Sequence, residues 1–157
     1  MTTFVVDASV AIKWVIEEPG TADALAIRAA GRLVAPDLWI AECANILWKK
    51  VRRGEISAEQ ARTAAELLES AGVEVIAGEP LLSRVVQLAT TLDHPAYDCI
   101  YLALAVDNGW TMITADDRLL TRLLGTNLEP HAQSIDVAAR EILSGSHGAP
   151  RGGLHHP

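Results

Sequence analysis

One run constrains this chain more than any other. From Cys99 to Val106 the sequence reads Cys-Ile-Tyr-Leu-Ala-Leu-Ala-Val, apolar at every position. A helix apolar all round has no face to offer water and must sit at the centre of a core. Pro95 opens it at the first helical position, where no N–H partner is needed, and Gly109 ends it. Thr111–Thr114 then reads as a short buried strand, and Ala115-Asp116-Asp117 leaves that strand to start another helix. Asp98 is the acid in the first turn of the buried helix, and Asp116 falls just past the strand. Helix and strand are joined by a tight turn, so the two acids are expected to line one pocket, where a carboxylate is costly unless something pairs with it.

The rest of the chain alternates in the same way. Strands are expected at Phe4–Val6, Leu33–Ala35 and Val73–Ile76, with a weak edge strand at Ser134-Ile135. Between them lie a helix capped by Ser9 and running through Ile16, and helices over Thr21–Ala30 and Asp37–Arg53. Further helices cover Ser57–Ala71, Pro80–Leu92, Arg118–Leu124 and Asp136–Leu143. Ser57 and Gln60 have capping-box spacing. Alternation of this kind implies an α/β fold, a parallel sheet with helices on both faces. Ligands in such folds bind beyond the carboxyl ends of the strands, where Asp7 and Asp116 stand. Residues 1–143 form one domain, and 144–157, rich in Gly, Pro and His, reads as a flexible tail.

The Asp37–Arg53 helix is mostly apolar, and its polar residues Glu42, Asn45 and Lys49 fall at i, i+3 and i+7, a single narrow stripe. Asp7, Glu42, Asp98 and Asp116 thus form a candidate acidic constellation. Each has an ordinary alternative: a helix cap for Asp7 and Asp116, a dipole contact for Asp98, a solvated face for Glu42. Together, carboxylates that close would repel and some would stay protonated. A divalent cation with a preference for oxygen, Mg²⁺ or Mn²⁺, removes the conflict. No Ser-His-Asp or Cys-His arrangement is convincing, and His94 reads as a helix-capping residue.

Charge and composition narrow the partners. A net charge of −7 over 157 residues argues against an unspecific grip on nucleic acid, though not against a local basic groove. Lys13, Lys49, Arg52, Arg53, Arg118 and Arg122 are candidates for such a rim. No apolar run is long enough for a membrane span, and Met1-Thr2-Thr3 lacks the basic region of a secretory signal. Cys43 and Cys99 sit in apolar helices and read as free thiols in a reducing cytoplasm.

Four segments, V-V-D-A-S-V, P-D-L-W-I-A-E-C-A-N, Y-D-C-I-Y-L-A-L-A and T-A-D-D-R-L, together resemble the PIN-domain ribonucleases, and within them the VapC toxins of bacterial toxin–antitoxin pairs. The resemblance runs from Phe4 to about Leu124. It implies a three-layer α/β/α sandwich whose central parallel sheet has about five strands. It also implies Mg²⁺- or Mn²⁺-dependent RNA cleavage and inhibition by a cognate antitoxin. The family's acidic quartet falls on Asp7, Glu42, Asp98 and Asp116, with Asp7 and Asp98 the main metal ligands. Asp117 directly follows the fourth position and competes with Asp116 for that role. Apolar faces of the early helices would serve a homodimer or an antitoxin groove. Two other classes stay open: a catalytically inactive PIN-like interaction module, and a phospho-receiver-like signalling domain. The latter lacks support from a second acid at the first strand or a lysine at a late strand end.

Overall fold

The computed structural model describes residues 1–145. Five strands, β1 (Thr3–Val6), β2 (Arg32–Pro36), β3 (Glu74–Ile76), β4 (Thr111–Thr114) and β5 (Ala132–Ser134), form one sheet in the order β3-β2-β1-β4-β5. Every pairing is parallel, and Val34, Val5, Met112 and Ala132 lie side by side across β2, β1, β4 and β5. Parallel strands need crossovers, and eight α-helices supply most of the connecting chain: α1 (Ala8–Val15), α2 (Thr21–Ala30), α3 (Leu38–Arg52), α4 (Ala58–Glu69), α5 (Leu82–Leu92), α6 (Ala96–Asn108), α7 (Asp117–Leu123) and α8 (Ile135–Gly145). Single 3₁₀ turns precede α5 and β5.

α6 is the helix that the sequence marks as central. Cys99, Tyr101, Leu102, Ala103, Leu104 and Ala105 are buried, and the helix packs on β1, β2 and β4 with α5 behind it. α1 packs on α2, α3 and α4, and α2 on α8. Gly109 closes α6 in the left-handed conformation, at φ 68°, a shape that costs glycine little.

Several boundaries move for physical reasons. Pro95 occupies the capping position of α6 rather than its first turn, with extended ψ. Asp7, not Ser9, caps α1: its carboxylate accepts the Ser9 N–H. The edge strand β5 is real and begins at Ala132, two residues before the expected start; it survives by laddering to β4, not by its own composition. α8 continues through Ser144 and Gly145, so the expected tail loses those two residues to helix; positions 146–157 lie outside the described residues. α3 is less buried than its composition suggests. Trp39, Cys43 and Leu47 face the core, while Ile40 and Trp48 are exposed, the latter stacked by Arg52.

Gly31, between α2 and β2, has an extended backbone that any residue adopts, yet a Cβ there would overlap the Thr2 carbonyl oxygen and press on the Phe4 ring. Gly31→Ala should therefore destabilise the protein by about 1–3 kcal/mol in urea unfolding, whereas Gly145→Ala, with open space at its Cβ, should stay within about 0.5 kcal/mol.

Candidate active site

In the strand order β3-β2-β1-β4-β5 the direction of winding reverses between β1 and β4, and the crevice beyond their carboxyl ends is where an open α/β sheet binds its ligands. Asp7 follows β1 and Asp116 follows β4, each as the cap of the next helix. Asp98 reaches the crevice from the first turn of α6 and Glu42 from α3. The four acids singled out from sequence influence one another's ionisation: Asp116 acts on Asp7, Asp7 on Asp98, and Asp7 and Asp98 on Glu42.

Each carboxyl has its own surroundings. Asp7 is buried; Oδ1 accepts the Ser9 N–H at 3.2 Å and Oδ2 the Thr114 hydroxyl at 3.0 Å. Burial still wins, and the Asp7 pKa lies above the ordinary value. Thr114 is fully buried and works in both directions, because its oxygen also accepts the Asp116 N–H at 3.0 Å. One hydroxyl thereby ties the end of β1 to the start of α7. Asp116 Oδ1 accepts the N–H groups of Arg118 and Leu119, at 3.0 and 3.3 Å. Partial burial opposes ionisation of Asp116, but Asp98, these two N–H groups and His94 outweigh it and lower its pKa. Asp98 moves the opposite way: burial and the neighbouring Asp116 carboxyl push it up to about 6. Glu42 is raised by burial, eased by Tyr101, and raised again by Asp7 and Asp98. The Tyr101 hydroxyl is turned toward Glu42 without closing a well-formed hydrogen bond, which leaves Glu42 Oε1 and Tyr101 OH both buried and unpartnered.

His94 does cap a helix, its backbone N–H donating to the Ala89 carbonyl at the end of α5 at 3.2 Å, but its side chain has a further role that capping does not describe. Its side chain is 5% exposed, and Nε2 lies 2.8 Å from Asp98 Oδ2 and 3.5 Å from Asp116 Oδ2. His94, Asp98 and Asp116 can bring one ligand atom each to within 4.8 Å of one another, and all three line a cleft of about 310 Å³ with Arg118 and Arg122. The i, i+4 spacing of His94 and Asp98 was a usable signal, but His94 precedes the helix, so helical geometry alone did not link them. Asp117 is exposed and stands outside this trio. Asn45, the next residue of the α3 polar stripe, is exposed. The donor set, hard carboxylate oxygens with one imidazole and an orphaned buried oxygen on Glu42, suits a divalent cation.

A family model described as PIN domain matches residues 4–123. The chain belongs to the PIN-domain family. Ribonuclease VapC3 of Pyrobaculum aerophilum is 34% identical over 118 residues, spanning 73% of this chain and 90% of the relative. The solved structure of PAE2754, from the same organism, superposes at a TM-score of 0.70 with 24% identity, covering 91% of this chain and 96% of the other. A toxin–antitoxin complex from Klebsiella pneumoniae matches at TM-score 0.60 and 16% identity, covering 86% and 98%. Mycobacterium tuberculosis VapC20, titled a Sarcin-Ricin loop cleaving toxin, matches at 0.58 and 16%, covering 75% and 94%. These structural likenesses establish the PIN-like α/β/α fold.

The protonation pattern of this PIN domain predicts its pH behaviour. Without a cation, folded Asp98 keeps its proton up to about 6, against 3.8 for an ordinary aspartate. The folded state then binds more protons than the unfolded chain between those values, so stability falls as pH rises through them. Asp7 and Glu42 act in the same sense; Asp116, Glu18 and Asp136, whose carboxyls are held below their ordinary values, act against it, mostly at the acid end of the range. In EDTA, Tm should drop between about pH 4 and 7, and Mn²⁺ should recover much of the loss; a Tm that climbs steadily through that range contradicts this.

Proposed function

We propose that the chain is a Mg²⁺- or Mn²⁺-dependent endoribonuclease, the toxin of a toxin–antitoxin pair, hydrolysing RNA phosphodiester bonds where Asp7, Glu42, Asp98 and Asp116 meet. The observation that supports the reading is that these four carboxyls, around the β1–β4 crevice, bias one another's ionisation, with Asp98 and Asp116 gathered beside His94 and Glu42 Oε1 buried without a partner. The identity to Ribonuclease VapC3 supports the activity. The toxin–antitoxin complex among the fold neighbours supports a cognate antitoxin as partner. A cytoplasmic setting fits an RNA substrate and two free, buried cysteines. Among the described residues no helix is long and apolar enough to cross a membrane.

In this proposal Asp7 and Asp98 hold the cation, with Glu42 and Asp116 completing its surroundings. A bound cation would supply a lowered water pKa, so that hydroxide is available near neutral pH, and would offset charge on the leaving oxygen. The chain's own groups prepare for that. Thr114 and Ser9 aim Asp7 and favour its ionised form, while the start of α7 does the same for Asp116. Arg118, exposed at the lip of the cleft and free of ion pairs among the described residues, is the readiest group to hold a phosphate. Arg122 is less available, since it donates to the Leu92 carbonyl at 3.1 Å. On the other side, Lys13 and Lys50 both pair with Glu18, at 3.1 and 3.0 Å, and Lys50 also with Glu55 at 3.3 Å, so two carboxylates offset the two lysines. The basic rim there falls to Lys49 and Arg53, which line the same groove as Ser9. Ile40 and Trp48 on α3, with Leu82 and Val86 on α5, are exposed apolar groups available to a homodimer or an antitoxin.

Purified, partner-free protein should cut a total cellular RNA pool in Mg²⁺ or Mn²⁺, stop in EDTA, and lose at least about a hundredfold in rate as Asp98→Asn. Cutting that survives the substitution points to another site or a contaminant. No cutting together with no Mn²⁺ binding leaves the interaction-module reading instead. Arg118→Gln should weaken RNA binding and make the slope of log affinity against log salt shallower by roughly 0.7, one single-strand phosphate contact; an unchanged slope removes Arg118 from the rim.

A further inference from the structure

We propose that His94 supplies a nitrogen ligand to the cation at this site, and so tilts its selectivity from Mg²⁺ toward Mn²⁺; the inference rests on the cation reading above. His94 is held in place from both sides. Asp93 takes a left-handed turn at φ 49°, the one non-glycine residue among those described to do so, and ends α5. The His94 N–H then bonds to the Ala89 carbonyl, its own carbonyl accepts the Cys99 thiol, and Pro95 fixes the entry to α6. A strained residue immediately before the imidazole fits a segment shaped for its side chain rather than for its own comfort.

The direction in which that side chain points decides between roles. A residue that only oriented Asp98 would need to reach Asp98 alone. Nε2 instead faces both Asp98 Oδ2, at 2.8 Å, and Asp116 Oδ2, at 3.5 Å, from inside the cleft that all three line. Neighbouring ligand atoms on one ion with bonds of about 2.1 Å lie roughly 3 Å apart, and opposite ones about 4.2 Å. The trio, gathered within 4.8 Å, is within a small adjustment of that arrangement. The consequence is chemical. Mg²⁺ favours carboxylate, phosphate and water oxygens and keeps several waters; imidazole is a ligand of first-row transition ions, and Mn²⁺, although the weakest binder of that series and itself at home among oxygens, is the larger and softer ion of the two and accepts a nitrogen more readily than Mg²⁺. Four carboxyls alone would serve Mg²⁺ well, so a nitrogen among them makes a site that discriminates.

The test is pulsed EPR on the full chain, stripped of metal and loaded with Mn²⁺, alongside calorimetric titration with Mn²⁺ and Mg²⁺. A ¹⁴N coupling of a directly bound imidazole is expected, changing to ¹⁵N when the histidines are labelled. His94→Gln keeps an N–H donor for Asp98 but has no imidazole; it should lose the coupling and bind Mn²⁺ roughly tenfold or more weakly, with Mg²⁺ affinity little changed. Thermal unfolding checks that the variant is folded, with His94→Asn as the second variant. Bound Mn²⁺ without nitrogen coupling, coupling that persists in His94→Gln, or equal losses for both metals overturns the proposal while leaving the cation site standing. Mn²⁺ that does not bind, or binding indifferent to Asp98→Asn, overturns the cation reading and this inference with it.

Discussion

Carboxyl groups at the edge of a dry core set the terms for the rest of this structure. Asp7, Glu42 and Asp98 all have raised pKa values, and burial is the leading cause for each. Left alone, such groups take up protons or drive the elements that carry them apart. What holds them together is packing beneath. α6, with Tyr101 and Leu102 fully buried, is wedged under β1, β2 and β4, so the helix cannot back away without opening the core. The cost of the site is thus met by hydrophobic burial a turn or two from it.

Hydrogen bonding then sorts the acids into different states. Asp116 rests on two backbone N–H groups at the start of α7 and is held ionised, while Asp98 beside it is pushed toward its protonated form. Thr114 stands between the strands as a shared donor and acceptor. Its hydroxyl is the link through which the position of β4 is coupled to the orientation of Asp7. Two adjacent carboxyls with opposed shifts can share a proton, which lets Asp98 and Asp116 sit side by side.

Charge outside the cleft is arranged more sparingly than the basic residues suggest. Glu18 occupies both Lys13 and Lys50, tying the end of α1 to α3. Arg122 braces the end of α5, and Arg52 stacks on Trp48. On a chain of net charge −7, that leaves Arg118, Lys49 and Arg53 as the cations near the cleft and its neighbouring groove with no acidic partner among the described residues, a few separate points of positive charge rather than a broad basic face.

The sequence by itself determined the architecture. An all-apolar helix bounded by proline and glycine, and short strands punctuated by aspartate, left little choice but a parallel sheet with helices on both faces, because local periodicity and burial are written residue by residue. It also singled out Glu42 and Asp98 as acids in otherwise apolar helices, and Asp7 and Asp116 as acids just past strand ends, and the resemblance to the PIN-domain ribonucleases joined the four into one candidate set. Boundaries and partnerships were less legible. β5 exists through its ladder to β4, and α3 exposes Ile40 and Trp48 although its composition reads as core. Only the tertiary structure decided that His94 belongs with Asp98 and Asp116, that Thr114 bridges Asp7 and the Asp116 backbone, and that Lys13 and Lys50 share Glu18. Each of those pairings depends on where a turn sends the chain and on contacts between distant segments, which the pattern of neighbouring residues does not encode.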